Sequence, residues 1–172
     1  MRRFTLLVIS LVLFAGIAQA QEFGEKRAIG FLFVAPGGVA SNRDSSPTMH
    51  FGGGGEYLIY KGLGAGAEIG ALLPVGGSGC SCTTGKGIGL FSSNASYHFL
   101  NASQNRKLVP FVTAGYTGAF QSEWGESWFN FGGGADYWFR ERAGLRVEFR
   151  DHVDPHHDEP IHFLEARVGF VW

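Results

Sequence analysis

The stretch that most constrains the fold of this chain is its C-terminal end, residues 145–172. Side chains of a β-strand point alternately to opposite faces, so residues two apart share a face. In the first part of the stretch, apolar residues therefore lie opposite Arg146, Glu148 and Arg150. In the second part, 161–172, apolar residues again occupy every other position. A polar loop bounded by prolines separates the two parts, which predicts an antiparallel hairpin.

The N-terminus has the features of an export signal. Arg2 and Arg3 precede the apolar run 4–18, and Ala18-Gln19-Ala20 forms an A-x-A cleavage site. We therefore predict a signal peptide over residues 1–20, cleaved near Ala20, and a mature domain over 21–172. The mature domain contains no apolar run long enough for a transmembrane helix. Its 12 basic and 15 acidic residues give a net charge of −3 and no basic patch for nucleic acid.

The alternation of the C-terminal hairpin recurs along the whole mature domain, which predicts eight strands of about ten residues each. The connections after odd-numbered strands are longer than those after even-numbered strands, as expected for a transmembrane barrel with short turns at one end. Both faces of the first strand are apolar, so its orientation stays open. The six strands that precede the hairpin are predicted over residues 25–35, 48–60, 63–73, 88–99, 108–120 and 127–139.

The last strand ends on an aromatic residue and presents one continuous apolar face. Together with the export signal and the recurring alternation, this strand makes the chain resemble the small outer-membrane β-barrel families of the OmpA transmembrane-domain and OmpX/Ail kind. The resemblance implies an all-β, eight-stranded, antiparallel, up-and-down transmembrane barrel in the outer membrane of a Gram-negative cell, surrounded by lipid and monomeric. It also implies that the last strand is the signal read by the barrel assembly machinery, with Trp in place of the usual Phe. That signal comprises Leu164, Ala166, Val168, Phe170 and Trp172.

If the apolar faces meet lipid, the opposite faces bring charged residues into the lumen. Eight strands leave an interior that side chains just fill, and an unpaired charge there is costly. Arginine pairs well with carboxylates because its planar guanidinium bonds to both oxygens. We therefore predict a plugged lumen held by salt bridges rather than a general pore. The predicted network contains five acids and three arginines: Glu56, Glu68, Asp136, Arg146, Glu148, Arg150, Glu165 and Arg167.

The loop of the C-terminal hairpin carries four histidines, His152, His156, His157 and His162. Histidine with nearby carboxylates can bind zinc, but this spacing matches no named site. A solvated loop is the stronger interpretation, so we predict no metal and no cofactor. The pair Cys80 and Cys82 lies in another exported loop, where oxidation is expected. A bridge across one residue is strained, and the pairing of these cysteines stays open.

One sequence motif bears on enzyme activity. Outer-membrane lipid A deacylases are also small barrels, and their Ser nucleophile and His base occur as His-x-Ser-Asn. Here Ser93-Asn94 has Phe91 instead of histidine two residues before the serine, and no His-x-Ser-Asn occurs elsewhere in the chain. The glycine run Gly52–Gly55 lacks the lysine of a phosphate-binding loop. We therefore predict that the protein is not an enzyme.

Two functions of different classes remain. The first is a structural or surface-interaction protein of the outer membrane, in adhesion or envelope integrity, whose loops contact a surface or host ligand. The second is a soluble periplasmic carrier of a small apolar ligand, with a lipocalin-like barrel. In the second case the Phe- and Tyr-rich faces would line a cavity and the charges would face water.

Overall fold

A computed structural model describes residues 28–40, 45–75, 87–100, 107–121, 124–155 and 160–172. The described residues form eight β-strands. None of them belongs to a helix that is long and apolar enough to cross a membrane. The strands are β1 Ala28–Ala40, β2 Ser45–Tyr60, β3 Leu63–Pro74, β4 Ile88–His98, β5 Leu108–Gln121, β6 Trp124–Arg140, β7 Ala143–Asp154 and β8 Ile161–Val171.

The eight strands form one closed barrel in which each strand pairs with its neighbours in sequence. β1 also pairs antiparallel with β8, which closes the sheet. Next to this seam, Gly30 and Trp172 exchange two backbone hydrogen bonds of 2.9 Å. A closed barrel has no edge strand with unpaired backbone groups. The predicted eight-stranded, antiparallel, up-and-down barrel is confirmed.

The two ends of the barrel differ in their connections. The turn end carries the β2–β3, β4–β5 and β6–β7 connections and both ends of the described chain, and the loop end carries the other four connections. Lys61 and Gly62 join β2 to β3 with φ angles of 45° and 93°. Positive φ at both central residues is the geometry of the tight type I′ hairpin turn. The connection from β6 to β7 is equally short and consists of Glu141 and Arg142.

Several strands extend further towards the loop end than the sequence predicted. Residues 36–47 were predicted as a loop, but β1 continues to Ala40 and β2 begins at Ser45. Pro36 has no N–H group, and the β1–β8 ladder is interrupted at Ala35 and Pro36 without a change of register. On its other side, Pro36 stays paired opposite Met49. The proline therefore interrupts one row of hydrogen bonds without ending the strand.

The C-terminal hairpin shows the same extension. His152 was predicted to begin the loop, but β7 runs to Asp154, which lies opposite Ile161 of β8. Likewise β5 and β6 are paired as far as Gln121 and Trp124, where a loop was predicted over 121–126. Backbone pairing in a closed sheet does not depend on side-chain polarity. The strands therefore extend beyond the residues whose apolar alternation predicted them.

Strand faces follow the predicted alternation, and the structure also orients β1. Phe31 and Phe33 are buried inside the barrel, whereas Leu32 and Val34 are exposed on its outer wall. Inward-facing glycines leave room for the charges of adjacent strands. A Cβ atom on Gly66 would lie 2.8 Å from the Cβ of Glu56. Glycine at such positions lets backbones approach where a side chain would clash.

Candidate functional site

The eight charged residues predicted for the lumen all point into the barrel. Seven of them are at most 5 % exposed, and the side chain of the eighth, Glu56, is 7 % exposed. They come from β2, β3, β6, β7 and β8, so the network connects strands on different sides of the barrel. It divides into two clusters along the barrel axis, one nearer the turn end and one nearer the loop end.

The turn-side cluster consists of Glu56, His98, Asp136 and Arg146. Asp136 and Arg146 lie directly opposite each other on β6 and β7. Arg146 donates from Nε to Asp136 Oδ1 (2.6 Å) and from Nη2 to Asp136 Oδ2 (2.8 Å), which is the bidentate geometry. The same Nη2 donates across the barrel to Glu56 Oε1 at 2.6 Å. One guanidinium thus holds carboxylates from two strands.

The loop-side cluster consists of Glu68, Glu148, Arg150, Glu165 and Arg167, together with His50 and His152. Arg150 donates to Glu68 Oε1 at 2.8 Å and to Glu148 Oε1 at 2.7 Å. Arg167 donates from Nη1 to both oxygens of Glu68 at 3.0 Å, and from Nε to Glu165. Glu68 of β3 therefore accepts from two arginines, one on β7 and one on β8, and links that side of the barrel to the opposite wall.

Three histidines outside the predicted network are buried against its carboxylates, each 1 % exposed. His50 Nδ1 donates to Glu165 Oε2 at 2.8 Å, and His98 Nε2 lies 3.1 Å from Glu56 Oε2. His152 Nε2 lies 3.3 Å from Glu165 Oε1. The alternation alone could have placed His50 in the lumen, because it shares the inward face of β2 with Glu56.

The fixed charges of the two clusters do not balance. The turn-side cluster holds two carboxylates against one guanidinium, and the loop-side cluster holds three against two. The histidines complete the contacts of these carboxylates, His98 beside Glu56 and both His50 and His152 beside Glu165.

Aromatic rings cover the faces of two of the arginines. The guanidinium carbon of Arg146 lies 4.8 Å from the ring centroid of Phe31 and 4.5 Å from that of Phe111. The guanidinium carbon of Arg167 lies 4.2 Å from the ring centroid of Phe33. A guanidinium makes its hydrogen bonds in the plane and its cation–π contacts above and below. These inward phenylalanines thus complete the packing around the ion pairs.

A cavity of about 20 Å³ lies beside Glu56, Arg146 and Arg150, with room for roughly one water molecule.

Apolar layers lie on both sides of the charged clusters. The turn-end layer contains Ile29, Leu58, Val109, Trp138 and Val171. The loop-end layer contains Val39, Leu72, Ile88, Leu90, Ala119, Trp128 and Phe163.

Two side-chain arrangements in the interior invite a chemical interpretation. His152 lies between Thr117 Oγ1 (3.1 Å) and Glu165, the order of nucleophile, base and acid in a catalytic triad. However, Thr117 is 0 % exposed and lies under the loop-end layer, so a substrate cannot reach it. Glu56, His98 and Asp136 each offer a metal-ligand atom within 4.8 Å of the others. Arg146 already places a positive charge 2.6 Å from both of those carboxylates. Both arrangements therefore fit a structural role.

The histidines considered as metal ligands do not all lie together. His152 points into the barrel, whereas His162 is on the outer wall, where its Nδ1 lies 2.8 Å from Asp151 Oδ2. These two side chains are on opposite sides of the sheet and cannot share an ion. His156 and His157 lie outside the described residues, as do Cys80, Cys82 and the predicted signal peptide.

The outer wall is apolar and aromatic. Four residues of the predicted assembly signal, Leu164, Val168, Phe170 and Trp172, are 39–54 % exposed there, and Ala166 shares their face. A lipocalin-like carrier would need the Phe- and Tyr-rich faces inside, and this arrangement does not fit one. Exposed aromatic residues occur along the whole wall. Those nearest the turn end form a girdle of eight residues: Tyr57, Tyr60, Tyr97, Phe99, Tyr137, Phe139, Phe170 and Trp172.

No family model matches the chain, and no curated protein matches it significantly. Its structure is similar to that of Neisserial surface protein A, with a TM-score of 0.64 and 13 % identity over 84 % of this chain and 96 % of that one. The N-terminal β-barrel domain of Pseudomonas aeruginosa OprF matches with a TM-score of 0.54 and 17 % identity, over 85 % and 98 % of the two chains. A de novo designed transmembrane β-barrel matches with a TM-score of 0.53 and 16 % identity, over 86 % and 97 %.

These comparisons show that the chain has the fold of the small eight-stranded outer-membrane barrels. The identities are too low for the comparisons to show more than the fold. The match to a designed barrel makes the same point, because that protein shares the architecture without a natural function.

Proposed function

We propose that this protein is a non-enzymatic barrel of the bacterial outer membrane, with a plugged lumen and a structural or surface-interaction role. One observation carries the proposal: the outer wall is continuously apolar, while the interior holds paired charges. This is the reverse of a water-soluble protein and the pattern of a barrel surrounded by lipid.

The membrane placement follows from the exposed surface. Large apolar side chains on all eight strands are exposed, among them Leu32, Ile69, Phe131, Phe149 and Val168. Such a surface is far more extensive than the apolar patches that monomeric soluble proteins expose. The strands contain 11 to 17 residues, enough for the 9–11 that a tilted strand needs to cross the bilayer. The predicted signal peptide and terminal strand would direct the chain to export and to the barrel assembly machinery.

The plugged lumen is supported by three successive fillings of the interior. The turn-end layer, the charged clusters and the loop-end layer follow one another along the axis. An eight-stranded barrel is narrow enough for side chains to fill it.

A role in surface contact rests on the loop end. With short turns facing the periplasm, as in barrels of this fold, the connections of the loop end face the exterior. Binding residues are commonly carried on loops held by a rigid scaffold. The structural neighbours include a protein described as a surface protein of Neisseria. Within the described residues, the nucleophile-like Thr117 is inaccessible, which supports a non-enzymatic role.

The proposal is tested by expressing the full chain in a Gram-negative host and isolating outer membranes. The protein should stay in the membrane after a carbonate wash and should migrate differently on a denaturing gel with and without boiling. Recovery in the soluble periplasmic fraction, without a mobility shift, would contradict the proposal.

A matched pair of variants makes the test specific to the lipid-facing wall. Phe149→Arg places a charge at an outward position in the middle of β7, where the side chain is 68 % exposed. Charge at that depth costs about 2–4 kcal/mol in barrels of this type, so the yield of folded protein in the membrane should fall. Glu126→Arg, at an exposed loop-end position, should assemble like the wild type.

A further inference from the structure

The exposed charges of the barrel are distributed unevenly between its ends. Among the described residues, every exposed lysine and arginine lies at the turn end, accompanied there by one exposed acid, Glu141. At the loop end the described charged side chains that are at least partly exposed are Glu126, at the mouth of the lumen beside Trp128, and Asp151 on the outer wall, both acidic. We name the four cations Lys61, Lys107, Arg140 and Arg142 the basic ring.

The basic ring is spread around the barrel rather than gathered at one point. Lys61 lies in the β2–β3 turn, Lys107 directly precedes β5, and Arg140 and Arg142 flank the β6–β7 turn. The ring borders the aromatic girdle of the turn end. Lys61 Nζ lies 5.0 Å from the ring centroid of Tyr60, which joins the two features directly. Aromatic girdles mark the depth at which a barrel meets lipid headgroups, so the basic ring lies at headgroup level.

Lys61 provides a second and independent indication. Its φ of 45° is in the left-handed region, and it is the one non-glycine residue with positive φ among those described. Turn chemistry alone favours Gly at this position because it has no Cβ, or Asn and Asp because their short polar side chains hydrogen-bond locally. A lysine is present instead, followed by Gly62, which supplies the second left-handed residue of the turn. The turn thus carries a cation at the expense of local stability.

We propose that the basic ring binds the phosphate groups of anionic phospholipids in the leaflet next to the turn end. The inference rests on the proposed membrane-spanning function and extends it to one lipid class. Lysine and arginine beside a membrane attract anionic lipid, and this attraction falls off within a Debye length. The ring contributes four cations against one acid, so its net charge complements a phosphate-rich surface. Selective binding there fixes the depth and tilt of the barrel.

The test uses the refolded mature chain in phosphatidylcholine vesicles with traces of spin-labelled lipid. Electron spin resonance measures how strongly phosphatidylglycerol associates with the barrel relative to phosphatidylcholine. We expect a preference for phosphatidylglycerol of at least about threefold, weakened when salt is raised from about 0.05 M to about 0.5 M. The preference should approach one in the variant Lys61→Asn/Arg140→Gln/Arg142→Gln, in which Asn also suits the left-handed turn position.

A control variant separates the basic ring from net charge. Ser46→Asp/Gln121→Glu/Ser127→Asp lowers the net charge by the same three units at partly exposed loop-end positions, and it should keep the wild-type lipid preference. Equal association of the two lipids with the wild type, or an unchanged preference in the turn-end variant, overturns the proposal. A soluble acidic partner would then be the better occupant. A chain that does not insert into the vesicles overturns the membrane-spanning function itself, and the heat-dependent gel shift shows which failure occurred.

Discussion

The interior of the barrel has two kinds of filling, and they are held together differently. The charged middle contains the turn-side and loop-side clusters, where hydrogen bonds connect groups on different strands. The two apolar layers pack by shape, as in Leu90 and Trp128 near the loop end. Both regions lie in the interior, so their place in the fold alone does not distinguish them.

The difference lies in what a substitution does in each region. In an apolar layer, losing a side chain removes contacts and leaves a void, and neighbours can partly relax. In the charged middle, losing one partner leaves the others buried without compensation. The middle should therefore tolerate almost no single change, whereas the layers should tolerate exchanges that conserve volume. The following substitutions test this contrast, from the largest expected effect to the smallest.

Arg167→Met should have the largest effect. It keeps much of the side-chain volume but leaves Glu68 and Glu165 without one of their cations. Breaking a buried ion pair in this way costs about 3–5 kcal/mol. Denaturant unfolding of the protein refolded in lipid vesicles measures the change in free energy. Arg142→Met, at the exposed turn end, should change stability by less than about 0.5 kcal/mol. A loss below about 1 kcal/mol for Arg167→Met would contradict the account of the middle.

Leu90→Ala should have a somewhat smaller effect, about 2–4 kcal/mol, because it removes a fully buried side chain from the loop-end layer. The control Leu90→Met keeps the volume and should cost less than about 1.5 kcal/mol. The same unfolding experiment applies. If Leu90→Met destabilised as much as Leu90→Ala, packing by shape would not describe the layer.

His50→Leu should cost about 1–3 kcal/mol, since Glu165 Oε2 would lose its buried donor at 2.8 Å. The comparison is His162→Leu, whose partner Asp151 lies on the outer wall and whose own side chain is 45 % exposed. Thermal unfolding of both variants measures the difference. Equal effects would show that His50 does not contribute to the network.

Asp151→Asn should have the smallest effect, less than about 1 kcal/mol, because it weakens a partly exposed pair with His162. Asp136→Asn removes a carboxylate charge inside the barrel and serves as the contrast. It breaks the bidentate bond to Arg146 and should cost several times as much. A gel mobility titration with urea is sensitive enough to rank the two variants.

The sequence predicted much of this molecule because the alternation of a half-buried strand is directly visible. Phe149 and Arg150 are adjacent in sequence, one apolar and one charged. Phe149 faces the outside of the barrel and Arg150 faces the lumen, as the alternation predicted. The apolar layers were not predicted, because Leu90 and Trp128 lie on the inward faces together with polar residues. From sequence alone, such positions look like irregularities in the pattern.

The sequence also did not predict which charged side chains pair with each other in the lumen. That Glu68 accepts from both Arg150 and Arg167 depends on the curvature of the closed sheet, since β3 and β8 are not adjacent strands. His152 was assigned to a loop because the alternation ends near a proline-bounded polar stretch. In the structure, backbone pairing carries β7 three residues further, to Asp154.

The central claim is that the interior is filled along its length by its own side chains. Current across a planar lipid bilayer containing the refolded protein tests it most directly, with a general porin confirming that the assay detects open channels. The account predicts no steady conductance above the bare bilayer at any applied voltage. A stable, ohmic current that scales with the amount of folded protein would contradict it, because ions could then pass the charged clusters and both apolar layers.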